Sequence, residues 1–160
     1  MKWAAIIFLF MVVLFTSVAM SETIIAKKDV DYIFSLTKPQ WEAYAQRMVP
    51  PEGWEQRLSP HDTGTSVVAY DSKTGLSLSV QPLYDNKTSP PAMLIVGSYY
   101  PLGTFPSFTD ERKSEIEAAA KKDLGQKYEV SAIYAEMPPL EVVELMVTIA
   151  PIPKNNGNSK

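Results

Sequence analysis

The sequence predicts an α+β domain, a mostly antiparallel sheet of five to six strands carrying two helices in the order β-α-β-β-β-α-β-β. Three observations carry this expectation. Segments whose apolar residues alternate with a period of two recur along the chain, as half-buried strands require. Two other segments repeat apolar residues at helical spacing behind capping residues. A short turn with an Asp start and a Gly finish joins two of the strands as a hairpin.

Taken in chain order, residues 30–36 set Val30, Tyr32, Phe34 and Leu36 against Asp31, Ile33 and Ser35, which reads as a first strand with one buried face. A helix follows at once. Thr37 is its cap, Gln40 completes a capping box, and Leu36 with Trp41 forms the hydrophobic staple. Pro39 falls in the first turn, where its missing N–H removes no intrahelical bond. Trp41, Tyr44, Ala45 and Met48 make one apolar stripe, and Pro50-Pro51 ends the helix. Residues 52–64 read as an ordered loop anchored by Trp54 and Leu58. Residues 65–70 and 76–81 are a hairpin pair around Asp71-Ser72-Lys73-Thr74-Gly75, a type I turn with Gly left-handed. In its second strand Ser77, Ser79 and Gln81 alternate with Leu76, Leu78 and Val80, so that face is expected to meet water or a partner, with both helices on the other.

Residues 84–91 are polar and close on a proline pair, a surface connection. Residues 92–96 are apolar on both faces and predict the most central strand. Residues 99–108 read as an aromatic loop. Thr109 then caps a second helix with Asp110 and Glu111 in its first turn, Lys121 and Lys122 in its last, and Gly125 beyond it, in agreement with the helix dipole. Ile116, Ala119, Ala120 and Leu124 form its buried side. Residues 128–135 and 140–150 are the last two strands, with Val143, Leu145, Val147 and Ile149 on one face.

The first residues have a different character. Met1-Lys2 precedes an almost unbroken apolar run from Trp3 to Phe15, the pattern of a signal-peptide core. Ser17 and Ala19 suit a cut after Ala19, and Ala19 with Ser21 suits a cut after Ser21. Residues 1–19 are therefore expected to be a secretory signal peptide, residues 20–150 a single α+β domain, and residues 151–160, with nothing to bury, a mobile tail. The apolar stretch also approaches the ~20 residues of a spanning helix. An uncleaved leader would then be the one membrane contact.

Composition bounds the class. With 46% hydrophobic and 21% charged residues the chain is too apolar for disorder, and a body of about 140 residues buries roughly two thirds of its unfolded surface. Lys2 is the only charge of the leader, so its removal takes the formal net charge from −3 to −4. That balance excludes nucleic acid as an expected partner, since phosphate binding needs a basic face. The chain has no cysteine, which excludes disulfides, a thiol nucleophile and a lipid anchored through cysteine. A bacterial periplasm or envelope suits such a domain better than an animal extracellular space.

Few residues carry chemistry. Asp62-Thr63-Gly64 is the tripeptide of aspartic proteases, and Leu94-Ile95-Val96-Gly97 matches their apolar-apolar-Gly element, but turn sequence at Ser59-Pro60-His61 stands where that family has an apolar strand. The tripeptide reads as an Asx-turn entering a strand. His61 beside Asp62 is the one available imidazole base, with no G-x-S-x-G nucleophile to serve. One His and no Cys exclude a structural zinc site. Asp29 and Asp31 lie on one side of the first expected strand, too few ligands for calcium. Asn86-Lys87-Thr88 is a glycosylation acceptor only in a eukaryotic host. No cofactor is expected. The segment from Tyr99 to Phe108 is the strongest candidate: Tyr99, Tyr100, Leu102, Phe105 and Phe108 would form a contact surface for a partner, unless the rings roof the core.

Pro51-Glu52-Gly53-Trp54, followed by the hairpin from Val67 to Val80, resembles the opening of PsbP-like exported α+β domains. The likeness spans residues 51–80 and carries no site. The expected function is that of a non-enzymatic periplasmic or envelope domain that binds another exported protein, as an inhibitor, immunity factor or accessory subunit would. The alternatives are a small hydrolase using His61 and Asp62 and a carrier of an apolar ligand. N-terminal sequencing of the exported protein is expected to start at Met20 or Glu22; a chain starting at Met1 would identify the anchor instead.

Overall fold

The computed structural model describes residues 25–103 and 109–153. Its elements are α1 (Lys27–Ile33), α2 (Lys38–Ala45), β1 (Glu55–Ser59), β2 (Ser66–Tyr70), β3 (Ser77–Leu83), β4 (Met93–Pro101), α3 (Asp110–Leu124), β5 (Tyr128–Met137), a 3-10 turn (Pro138–Leu140) and β6 (Val142–Pro151). The six strands form one antiparallel sheet in the order β1-β2-β3-β4-β6-β5. The fold is α+β, as its patterning requires. The expected leader over residues 1–19 and the last seven residues of the expected tail lie outside the described residues. Pro151 pairs with Tyr128, and Ile152 N–H donates to Lys127 O at 3.0 Å, so pairing continues one residue beyond the expected domain end.

Several boundaries differ from those read off the sequence, among them the end of α2, which lies at Ala45 and not at Pro50. The segment expected as a first strand is α1 and the turn after it, so the chain begins α-α and has three helices among the described residues. Its apolar residues satisfy both periods; burial follows the helical one, with Val30 and Ile33 fully buried one turn apart and Tyr32 exposed. Ala26 occupies the N-cap with no capping side chain, so the sequence has no start signal there. The expected loop 52–64 contains β1, an edge strand whose side chains are almost all exposed; without a buried face it shows no alternation. The central strand runs on from Val96 to Pro101 and takes in Tyr99 and Tyr100.

Elsewhere the local chemistry acts as its residue types dictate. Thr37 N–H donates to Gln40 Oε1 at 2.8 Å at the start of α2, and Thr109 Oγ1 accepts from Arg112 N–H at 3.2 Å at the start of α3. Asp71 Oδ1 accepts from Lys73 N–H and Asp71 Oδ2 from the Thr74 hydroxyl, while Gly75 adopts the left-handed conformation that ends the hairpin turn.

All three helices pack on one face of the sheet. Leu58, Val67, Val80, Val96, Val147 and Ala132 form a row across all six strands beneath them. Trp41 of α2 is fully buried over this face, and its Nε1–H donates to Thr65 O at 2.7 Å. The indole therefore removes a large apolar surface from water without stranding its donor. Leu124 of α3 is buried, with Ile116 and Ala120 packed beside it, as the spacing in α3 requires. Glu117 on the same helix accepts from Ala132 N–H at 2.8 Å, which occupies a backbone donor of the edge strand β5.

Asp31 ties α1 to β5. It pairs with Lys27 one turn earlier and with Lys127 Nζ at 2.9 Å, and it accepts the Tyr128 hydroxyl. Phe34 stacks on the same tyrosine ring with centroids 5.2 Å apart. Hydrogen bonds from Lys27, then Tyr128 and Lys127, hold the Asp31 carboxyl well below the usual carboxylate range. A depressed folded-state value stabilises the protein above the unfolded pKa of about 3.9 and loses that effect as pH falls toward the folded value. The side chain is 33% exposed, so solvent screening keeps the contribution near 1 kcal/mol. Asp31→Asn is expected to cost about 1 kcal/mol at neutral pH. In urea titrations its difference from the parent should narrow progressively below about pH 4; a gap that persists unchanged in acid would contradict this assignment.

Candidate functional site

Alternation along β4 distributes the expected contact residues between two faces. Tyr100 points to the helix side and is buried with Val143 and Leu145, so it is a core residue and not a contact residue. Tyr99 points to the opposite face, which none of the three helices covers. Leu102 is exposed in the turn after β4, its N–H donating to Glu141 O at 2.8 Å. Phe105 and Phe108 lie outside the described residues.

The uncovered face is less polar than Ser77, Ser79 and Gln81 alone imply. One row across it runs Val68, Ser79, Gly97, Met146 and Ile133, and the next places Gln81 beside Ile95 and Thr148. Ile133 is 50% exposed. Met93, Ile95 and Met146 are half-buried by their neighbours alone. Ser79 is buried because Tyr99 folds back across Gly97: a Cβ on that glycine would stand 2.5 Å from Ser79 Oγ and 3.4 Å from the Tyr99 ring. Glycine is thus required where the ring crosses the strand. The phenol meets the carboxylate of Glu144, its direct cross-strand neighbour, and the Ser79 hydroxyl. Burial first, then the hydrogen bond to Glu144 and after it the Glu144 charge, push the Tyr99 phenol up to about 12.

The other sequence candidates serve the backbone. Side chains of His61 and Asp62 are exposed, while their carbonyls face Lys38, whose Nζ donates to Asp62 O at 2.7 Å. Thr63 O accepts from Tyr84 N–H at 2.7 Å. Gly64 has a φ of 154°, and a Cβ there would lie 2.1 Å from the Pro82 carbonyl oxygen. The Asp-Thr-Gly tripeptide is therefore a close backbone crossing between the start of β2 and the end of β3. Leu94-Ile95-Val96-Gly97 is interior β4. Among the described residues no three His, Asp or Glu side chains converge as metal ligands, and Asp31 is engaged with α1 and β5. A depression of about 580 Å³ between the end of α3 and β5 is open to solvent and has Lys121, Gln126 and Glu129 on its wall, unlike the enclosed apolar chamber a carrier requires.

No helix among the described residues is long and apolar enough to cross a membrane. No protein-family model matches the chain, and neither a curated protein nor a solved structure shows significant similarity to it. None of these comparisons supports the PsbP-like resemblance of residues 51–80.

The sequence does not single out Glu144, and it offers Gly97 only as the end of an apolar-apolar-Gly element. A lone acid between Val143 and Leu145 looks like ordinary strand alternation, and a glycine after Val96 looks like a strand end. Only the pairing of β4 with β6 brings Glu144 beside Tyr99, and only its pairing with β3 sets Gly97 against Ser79. Gly64→Ala is expected to lower stability by about 2 kcal/mol or more, from backbone strain and the carbonyl clash, whereas His61→Ala and Asp62→Asn should stay within about 0.5 kcal/mol. Urea unfolding of the three variants checks this; equal and small effects would remove the structural account of the tripeptide.

Proposed function

We propose that this protein is an exported, non-enzymatic domain that binds another protein, and that it does so with the uncovered face of its sheet. One observation carries the reading: the face left open by the helices bears Ile95, Met146 and Ile133 where a merely solvated antiparallel sheet carries polar residues. Its chemistry is that of contact, with apolar side chains around the Tyr99 phenol and the Glu144 carboxylate on the interior strands, and Glu55, Arg57 and Glu129 on the edge strands. Tyr99 and Leu102, two of the residues singled out in the aromatic segment, lie on this face and in the turn that follows its central strand. Export is supported by the apolar leader with small residues at the cut, and by a body without cysteine. An inhibitor, an immunity factor or an accessory subunit of the envelope has these requirements.

A photo-crosslinking amino acid placed at Ile95 or Ile133 of the protein in its own host is expected to give a discrete adduct with one partner. The same group at Glu115, exposed on the solvent side of α3, should give none. Adding Met146→Glu should abolish the open-face adduct while circular dichroism stays unchanged. Equal labelling from Glu115, or an adduct indifferent to Met146→Glu, would overturn the reading.

A further inference from the structure

The open face has one charged side chain on its four interior strands. On this side β2 contributes Ser66, Val68 and Tyr70, and β3 and β4 contribute no charged residue. Glu144 stands alone on β6, with Tyr99 on one side of it and Ala135 on the other. Among the described residues it forms no ion pair; the five salt bridges all lie elsewhere. Its own face gives it the Tyr99 phenol, and a carboxylate has room for about four hydrogen bonds.

Water completes that set while the face is open. A partner laid across Ile95 and Met146 would expel the water, and desolvating a carboxylate that has no counter-ion carries a large penalty. Apolar contact offsets so large a penalty poorly. A cation carried by the incoming surface at this point offsets that cost by its attraction and hydrogen bonds to the carboxylate, and the Tyr99 ring beside the carboxylate adds a π face that favours a guanidinium over an ammonium. We infer that the partner presents a basic side chain, Arg in preference to Lys, flanked by apolar residues, and seats it on Glu144 and Tyr99. This inference rests on the proposed use of the open face.

Random peptides of twelve residues displayed on phage and panned against the exported protein test both statements separately. Selected peptides are expected to combine Arg or Lys with apolar neighbours. They should lose at least about tenfold in affinity on Glu144→Gln and retain affinity on Glu129→Gln, a carboxylate on the same face at the exposed start of the edge strand β5. Circular dichroism and urea unfolding establish that each variant is folded. Peptides that bind the Ile95→Glu variant as well as the parent would overturn the face itself. Peptides that fail on Ile95→Glu but lack basic residues, or bind Glu144→Gln undiminished, would leave the face standing and overturn the cation. A library that yields no binder overturns both.

Discussion

Successive side chains on a strand point to opposite sides, and here every strand divides its residues in register with its neighbours. The row from Leu58 through Val67, Val80, Val96 and Val147 to Ala132 is continuous because each of these residues stands directly opposite the next. A slip of one residue in any pair would carry that strand's apolar set to the other side. Register is therefore enforced by burial, and the helix face and the open face are two outcomes of one pairing scheme. The same rule separates Tyr99 from Tyr100: adjacent in the chain, one lies on the surface and the other in the core.

The helices reinforce this sheet without closing it on both sides. α2 is held through Trp41, whose ring fills the core and whose donor reaches the strand-entry carbonyl of Thr65. Lys38 on the same helix binds the carbonyl of Asp62, so one helix governs the path of the chain from β1 into β2. α1 is short and uncapped by a side chain; its attachment comes from Val30 and Ile33 in the core and from Asp31 among Lys27, Lys127 and Tyr128. These contacts join the first described helix to the edge strand β5, 97 residues further along the chain at Tyr128. Such long-range closure compensates for low intrinsic helicity, because packing rather than propensity stabilises short helices.

On the open side the balance is different. Aliphatic and thioether side chains lie beside serines and a threonine, and Glu144 with Tyr99 forms a polar point within them. Antiparallel sheets with one solvated face usually alternate cleanly. The departure from that alternation on β4 and β6 gives the face its chemical character, apolar side chains around Tyr99 and Glu144, and on this character the proposed partner contact rests.

How much of this was legible beforehand follows from the range of each interaction. Caps, turns and stripes are local: Thr37 with Gln40, Asp71 with Gly75, and Thr109 with the charges of α3 sit where short-range chemistry places them. Strand periodicity is local as well, which is why the α+β class and the apolar face of β6 could be read directly. α1 and β1 could not. A seven-residue run with apolar residues at both two- and three-residue spacing acquires its helical state from the core it meets, and an exposed edge strand acquires its state from hydrogen bonds to β2 alone. The open face lies furthest from the sequence: Gly97, Tyr99 and Glu144 are ordinary strand residues until β4 pairs with β3 and β6. Residue types and their short-range spacing thus determined the class and most element ends, while the decision about which side chains share a surface belonged to the sheet register, because it depends on partners dozens of residues away.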